Sequence, residues 1–241
     1  MNVTNYFPVN SLSEEIQTQV SLFRECLAAY REAGHKVMAS SSFQTHSIPM
    51  LHVISEIDRS IPIVFLQTGF HFPATLTYRD EIAEQLGLTI LNVESPTPKI
   101  AQRTQDGRFF FASDPSYCCY LNKTLPMEPI LREYDVWITG VRRDQNANRR
   151  SFALEAPGPH GTLRFHPMLD WTSKMIHQYR KAYGLPPHPL EAEGYLSIGC
   201  APCTQKFLDS ATDERAGRWA GMKKTECGLH TDLVGEQSTA G

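Results

Sequence analysis

The chain has 241 residues, a hydrophobic fraction of 41% and a formal net charge of −3. This length suits one large α/β domain whose core needs no disulfides, and the slight acidity offers no global attraction to nucleic acid or to an anionic membrane. No apolar run nears the roughly 18 residues of a membrane span, and the opening M-N-V-T-N-Y-F-P-V-N lacks the basic and apolar blocks of a signal peptide, so a cytoplasmic protein with reduced thiols is expected.

Ser11 with Glu14 reads as a capping box. Ile16, Val20, Phe23, Leu27 and Tyr30 then recur at helical spacing up to Gly34, with Cys26 as core filling. Residues 36–39 read as a short strand running into Ser40-Ser41-Ser42-Phe43-Gln44-Thr45-His46, and a helix follows with Pro49 in its first turn. A strand, a hydroxyl-rich turn and a helix can gather backbone N–H groups on a phosphate, although an ordinary helix cap is the plainer reading. The turn has no glycine or lysine, so it is not a Walker loop. Residues 61–66 form a continuous apolar strand that ends at Gln67-Thr68-Gly69. A helix over 73–86 stops at Gly87, and 88–93 is the next strand. This alternation predicts an α/β fold with a single doubly wound, mainly parallel sheet, whose ligands sit at the carboxyl ends of its strands.

Residues 94–117 read as a loop leading to Cys118-Cys119 and Lys123. A strand over 135–139 is followed by Gly140, Val141, Arg142 and Arg143, with Arg149 and Arg150 beyond. Arginines placed straight after a buried strand are well placed to hold an anion. A last strand over 163–166 and a helix over 171–183, capped by Asp170, precede three prolines. His71, His166 and His188 read as structural, and Trp171 and Trp219 as packing.

The closing stretch carries Cys200 and Cys203 as C-x-x-C, then Arg215 and Arg218, then Cys227 among Lys223, Lys224 and His230. Two cysteine pairs plus an isolated thiol suggest a four-cysteine metal or cluster site beside a separate reactive cysteine. Zinc in a four-cysteine site is the plain alternative. Adjacent cysteines converge poorly on one tetrahedral ion, whereas a cubane offers each thiolate its own iron. Cations near Cys227 favour its thiolate, the nucleophilic form.

Several motifs resemble the assimilatory adenylyl-sulfate and phosphoadenylyl-sulfate reductases. They are S-S-S-F at Ser40, L-Q-T-G-F-H-F-P-A-T at Leu66, C-C-x-x-x-K at Cys118, G-V-R-R-D-Q at Gly140, H-P-M-L-D-W at His166, G-L-P-P-H-P-L at Gly184, G-C-A-P-C-T at Gly199, R-A-G-R-W at Arg215 and K-T-E-C-G-L-H at Lys224. The resemblance implies the adenine-nucleotide α-hydrolase type of sheet with a C-terminal tail carrying the catalytic cysteine, in one reductase domain over 1–230 followed by a flexible tail over 231–241. It also implies a [4Fe–4S] cluster on Cys118, Cys119, Cys200 and Cys203, with Cys227 as nucleophile. Lys123, Arg142, Arg143, Arg215, Arg218 and His230 would surround the phosphosulfate. Ser40, Ser41, Ser42, Thr68, Gly69 and Gly140 would hold the nucleotide. The implied partners are adenylyl sulfate, or phosphoadenylyl sulfate, and thioredoxin or a similar dithiol donor; a homo-oligomer is left open.

Three features depart from the common pattern. Gln67 stands where relatives usually carry Asp, and Asn122 stands where Arg is common. The Ser40–Phe43 loop resembles the phosphoadenylyl-sulfate enzymes, while the cysteine pairs resemble the adenylyl-sulfate enzymes, and the cysteines weigh more. Nucleotide-activating relatives of the same fold carry S-G-G-x-D-S, which this chain lacks. A non-catalytic metal-binding module would leave Cys227 and the arginines unexplained.

Overall fold

The computed structural model of the protein describes residues 12–145, 147–206, 217–219, 224, 226, 228–230 and 233. Helix α1 (Glu14–Glu32) buries Ile16, Phe23, Leu27 and Tyr30 along one stripe. Its N-cap is Ser13, whose Oγ accepts from the Ile16 N–H at 3.4 Å; Ser11 lies outside the described residues. Strand β1 (Val37–Ser40) leads through a single 3-10 turn, Thr45–Ser47, into α2 (Ile48–Ile57). Pro49 occupies the first turn of α2, and Ile48, Met50, Leu51, Val53 and Ile54 are fully buried, worth about 1.5–3 kcal/mol apiece.

Strand β2 (Ile63–Leu66), α3 (Pro73–Leu86) and β3 (Ile90–Val93) repeat the unit. Gly87 closes α3 with φ +64°, a left-handed cap that glycine adopts without a Cβ clash. The segment expected to be loop contains two short helices, α4 (Phe110–Ser113) and α5 (Pro115–Cys119). A wide π-type turn, Tyr120–Thr124, joins α5 to α6 (Leu125–Leu131). Strand β4 (Val136–Thr139) lies in the centre of the sheet; β5 (Glu155–Pro157) and β6 (Leu163–Phe165) form one edge, and α7 (Ser173–Ala182) follows. The cap of α7 is Thr172, whose Oγ1 accepts from the Met175 N–H at 3.2 Å, and not Asp170, which is paired with Arg143 instead.

The six strands run in the order β3-β2-β1-β4-β6-β5, parallel except for β5, which pairs antiparallel with β6. This is the doubly wound sheet expected from the alternation of elements, with one short reversed edge strand that its own polar sequence conceals. Side chains alternate across the sheet. Val37, Ala39, Ile63, Phe65, Val136 and Ile138 pack with α1, α2, α3 and α7. Met38, Val64 and Trp137 face the other way, against Met127, Leu131 and Leu233. No helix among the described residues is long and apolar enough to cross a membrane.

His188 pins the proline-rich passage to α3. Its Nδ1 accepts from the Leu190 N–H at 3.2 Å, so Nε2 carries the proton and donates to Thr75 Oγ1 at 3.0 Å. Burial pushes its pKa down from 6.5 to about 4. The native state therefore holds it neutral where the unfolded chain would protonate it. Its contribution to stability is complete above pH 6.5 and is lost as the pH falls toward 4. The urea midpoint should drop between pH 7 and pH 4.5, and His188→Leu should flatten that slope while lowering stability at both ends.

Candidate active site

The carboxyl ends of β1, β2 and β4 open onto one cleft with a cavity volume of about 160 Å³. Ser40, Ser41 and Ser42 form its floor, with Leu66, Thr139 and Gly140 beside them. The hydroxyl loop is held from within. Ser40 Oγ accepts from Trp137 Nε1 at 2.8 Å, Ser41 Oγ accepts from the Phe43 N–H at 3.0 Å, and Ser42 Oγ accepts from Gln44 Nε2 at 3.0 Å. Phe43 is fully buried against Phe65 at φ +52°, a left-handed conformation that costs a non-glycine residue about 1–2 kcal/mol. Gln44 Oε1 accepts from the Ile198 N–H at 2.9 Å, which ties this loop to the segment carrying Cys200.

Cys118 and Cys119 end α5, whose cap Asp114 accepts from the Tyr117 N–H at 3.0 Å. Cys200 caps a 3-10 turn, Ala201–Cys203, and bridges to His71, while the Ala201 N–H donates to the Phe70 carbonyl at 2.7 Å. These contacts bring all four cysteines onto one small cavity, roofed by Phe70 and Phe111. All four are free thiols. Among the described residues, no three His, Cys, Asp or Glu side chains are gathered as tightly as a single metal ion needs. Thr68 Oγ1 lies 3.3 Å from Cys200 Sγ, and Asn122 Nδ2 lies 3.7 Å from Cys118 Sγ. Burial, and then the charges of the other three sulfurs, push the Cys118 thiol up to about 12, with Lys123 opposing them. Cys203 is raised by the same causes, burial first.

Cleft and cysteine cavity meet along one wall made of Lys123, Cys200, Arg218 and Trp219. Arg218 lies against Gly199 so closely that a Cβ there would collide with the guanidinium. Its plane covers the Trp219 ring at 4.6 Å, and its buried Nε has no acceptor among the described residues. The 217–219 segment is docked by its backbone, with the Trp219 N–H donating to the Cys203 carbonyl at 3.0 Å and the Gln205 N–H to the Gly217 carbonyl at 2.8 Å. His71 lines the cleft rather than the core. Burial, followed by Lys123, Arg79, Lys99 and Arg218, lowers its pKa to about 4.

The structure brings together Ser40, Ser41, Ser42, Lys123, Gly140 and Arg218 on the cleft, and Thr68 with the four cysteines on the adjoining cavity. It places Arg142 and Arg143 elsewhere. Arg142 is fully buried and bonds Asp144, His46 and Ser173; Arg143 pairs with Asp170 and donates to the Arg150 and Phe152 carbonyls. Both guanidinium groups brace the chain that leaves β4. The Gly69 turn, with φ +70°, is covered by Lys99, whose Nζ donates to the Gly69 carbonyl at 3.1 Å. At Gln67, the side-chain oxygen accepts from Arg79 at 3.4 Å. Arg215 and Cys227 lie outside the described residues, and of His230 only the backbone, in the 3-10 turn Gly228–His230, is described.

The residues flanking Cys227 in the sequence are at the cleft. Leu229 lines it, and so does Glu226, which forms a two-armed ion pair with Arg149 at 2.8 and 2.9 Å. Arg149 also donates to Gln145. Arg149 is legible in the sequence only as one more cation beyond β4, and nothing in the spacing of 77 residues announces its pairing with Glu226. Lys224 Nζ, on the same stretch, donates to Ser116 Oγ at 3.3 Å beside the cysteine helix.

The family described as phosphoadenosine phosphosulfate reductase domain matches residues 36–206. The chain belongs to that family. An adenosine 5'-phosphosulfate reductase of Chelativorans sp. (strain BNC1) is 40% identical over 202 residues, covering 83% of this chain and 81% of its own. A phosphoadenosine 5'-phosphosulfate reductase of Gloeobacter violaceus is 36% identical over 206 residues, covering 84% and 85%. The crystal structure of phosphoadenylyl-sulfate reductase from Candida auris shares the fold, with a TM-score of 0.63 at 19% identity over 79% of this chain and 96% of its own.

The Arg149–Glu226 pair is almost wholly buried. Glu226→Gln leaves a buried guanidinium short of its counter-charge and should cost about 3–5 kcal/mol in urea unfolding. The double variant Arg149→Met/Glu226→Leu should recover most of that loss.

Proposed function

We propose that this reductase converts adenylyl sulfate to sulfite and AMP, with Cys227 as the nucleophile and an external dithiol as the source of electrons. The observation that supports it most is the placement of Glu226 and Leu229, on either side of Cys227 in the sequence. Both line a cleft whose wall, Lys123, Cys200, Arg218 and Trp219, is shared with the four-cysteine cavity. In this reading residues 1–230 act as one reductase domain in the cytoplasm.

Nucleotide would enter over the Ser40–Ser42 loop, at the carboxyl ends of the parallel strands where such sheets take their ligands. The phosphosulfate would lie toward Lys123 and Arg218, joined by Arg215 and His230. The Cys227 thiolate attacks the sulfate sulfur. An S–S bond forms, the S–O bond to phosphate breaks, and AMP leaves with the electron pair. The cations offset repulsion between thiolate and sulfate and stabilise charge on the leaving phosphate. One thiolate of a dithiol such as thioredoxin then attacks the Cys227 sulfur and displaces sulfite. Its second thiol closes a disulfide on the donor and returns the Cys227 thiolate. Two electrons pass from the dithiol to sulfur, so the chain itself is unchanged.

Cys118, Cys119, Cys200 and Cys203 would hold a [4Fe–4S] cluster. The donor set fits: four free thiols share one cavity, and Lys123 and Arg218 lie at its wall. When bound, the cluster supplies a covalent tie between distant segments and a local charge beside the sulfate.

Sulfite release from adenylyl sulfate, with and without thioredoxin, tests the function. Turnover that requires the dithiol supports it; no release under anaerobic, iron-replete conditions sinks it. The same assay on phosphoadenylyl sulfate decides the preference between the two nucleotides. Cys227→Ser should abolish sulfite formation while about four iron atoms per chain remain bound. Lys123→Ala should lower the rate of the sulfur step far more than it weakens AMP binding, read as kcat against the AMP inhibition constant. Gly199→Ala, by pushing Arg218 off its seat, should reduce kcat/KM by roughly tenfold or more with little change in thermal midpoint, since one displaced charge-assisted contact is worth about 1.5–3 kcal/mol.

A further inference from the structure

Asn122 is a buried amide that the reaction above does not use. Its Nδ2 faces three acceptors: Gln102 Oε1 at 2.6 Å, the Cys118 carbonyl oxygen at 2.9 Å and Cys118 Sγ at 3.7 Å. An amide nitrogen carries two hydrogens. One is taken by Gln102, so the other is shared between the carbonyl oxygen and the sulfur.

The direction of that amide is imposed from a distance. The Thr97 carbonyl can only accept, and Gln102 turns its Nε2 toward it at 2.9 Å. The same Nε2 donates to Asn122 Oδ1 at 3.0 Å. With its oxygen committed to Gln102, Asn122 must present its nitrogen to Cys118. Gln102 and Asn122 are 1% and 2% exposed, so water does not compete for either amide. The wide turn Tyr120–Thr124 holds Asn122 one helical turn past Cys118.

We propose that Asn122, oriented by Gln102, is a positioning residue that donates an N–H···S hydrogen bond to Cys118 when that sulfur ligates the cluster. The inference rests on the reading of the four cysteines as cluster ligands. A metal-bound thiolate carries more negative charge than the thiol, and charge strengthens the bond it accepts, so the shared hydrogen moves toward sulfur. Donation drains electron density from that sulfur, lengthens its bond to iron and favours the more negative, reduced form of the cluster. No atom or electron is transferred in this contact.

Resonance Raman spectra of the holoprotein in H₂O and D₂O read this directly, without any assay of turnover. In the native protein an iron–cysteine stretching band should shift on deuteration. In Asn122→Leu, which keeps the shape and removes the donor, the band should move to higher frequency and lose its isotope shift at full iron content. A variant with full iron, unchanged bands and an unchanged isotope shift overturns the inference alone. A native protein that binds no iron overturns the cluster reading and this inference with it. Should Asn122→Leu fail to fold, Asn122→Leu/Gln102→Leu replaces both interlocked amides by apolar groups of similar size, and the same loss of isotope shift is expected there.

Discussion

The Ala201 N–H donates to the Phe70 carbonyl at 2.7 Å, and that bond seats the Cys200–Cys203 turn against the loop that follows β2. The same short stretch is held at its front by Gln44, through the Ile198 N–H, and at its back by Trp219, through the Cys203 carbonyl. Three parts of the chain, the loop after β1, the loop after β2 and residues 217–219, therefore meet on six residues of backbone. Each brings its own chemistry: hydroxyls from the loop after β1, Thr68 and His71 from the loop after β2, and a cation and an indole from 217–219. A displacement of the Cys200–Cys203 turn would disturb the nucleotide side of the cleft and the sulfur side together.

Charge explains why those parts belong together. Burial, and then the neighbouring sulfurs, raise the pKa of Cys118 and of Cys203, so a set of four thiolates there calls for positive charge close by. Lys123 and Arg218 stand on the wall between the sulfurs and the cleft and act on both sides. Arg218 is buried, rests on Gly199 and Trp219, and has no acceptor for its Nε among the described residues, a desolvation that costs free energy. Arg149 is different, because Glu226 already neutralises it; its part is to anchor the stretch that contains Cys227 in sequence.

Much of this was legible in the residues, and the limits were physical. The alternation of apolar strands with capped helices is local, so the parallel sheet and its carboxyl-end cleft could be read in advance. The cysteine pairs could be grouped because sulfur is rare and its chemistry narrow. The protein partners of Arg142 and Arg143 were not legible, since His46 and Asp170 come within reach of the two guanidinium groups only through tertiary contacts. Strand β5 was missed because three residues with Glu and Pro carry no apolar alternation, and an edge position demands none. Asp170 looked like a cap, but its carboxylate is drawn to Arg143, and Thr172 takes the role two residues later.

Backbone strain points to the same place as the charges. Apart from His160, the described non-glycine residues with positive φ are Phe43, at +52°, and Trp219, at +50°. One stands in the hydroxyl loop and the other in the wall between the cleft and the cysteines. Both are large, almost fully buried aromatics, so the roughly 1–3 kcal/mol that each conformation costs is offset by several kcal/mol of apolar burial. A fold without a purpose for those turns would relax them with glycine. Phe43 packs on Phe65 next to the serines, while Trp219 backs the Arg218 guanidinium. Neither ring offers a charge; the cations beside Trp219, Lys123 and Arg218, stand on the wall that cleft and cysteine cavity share.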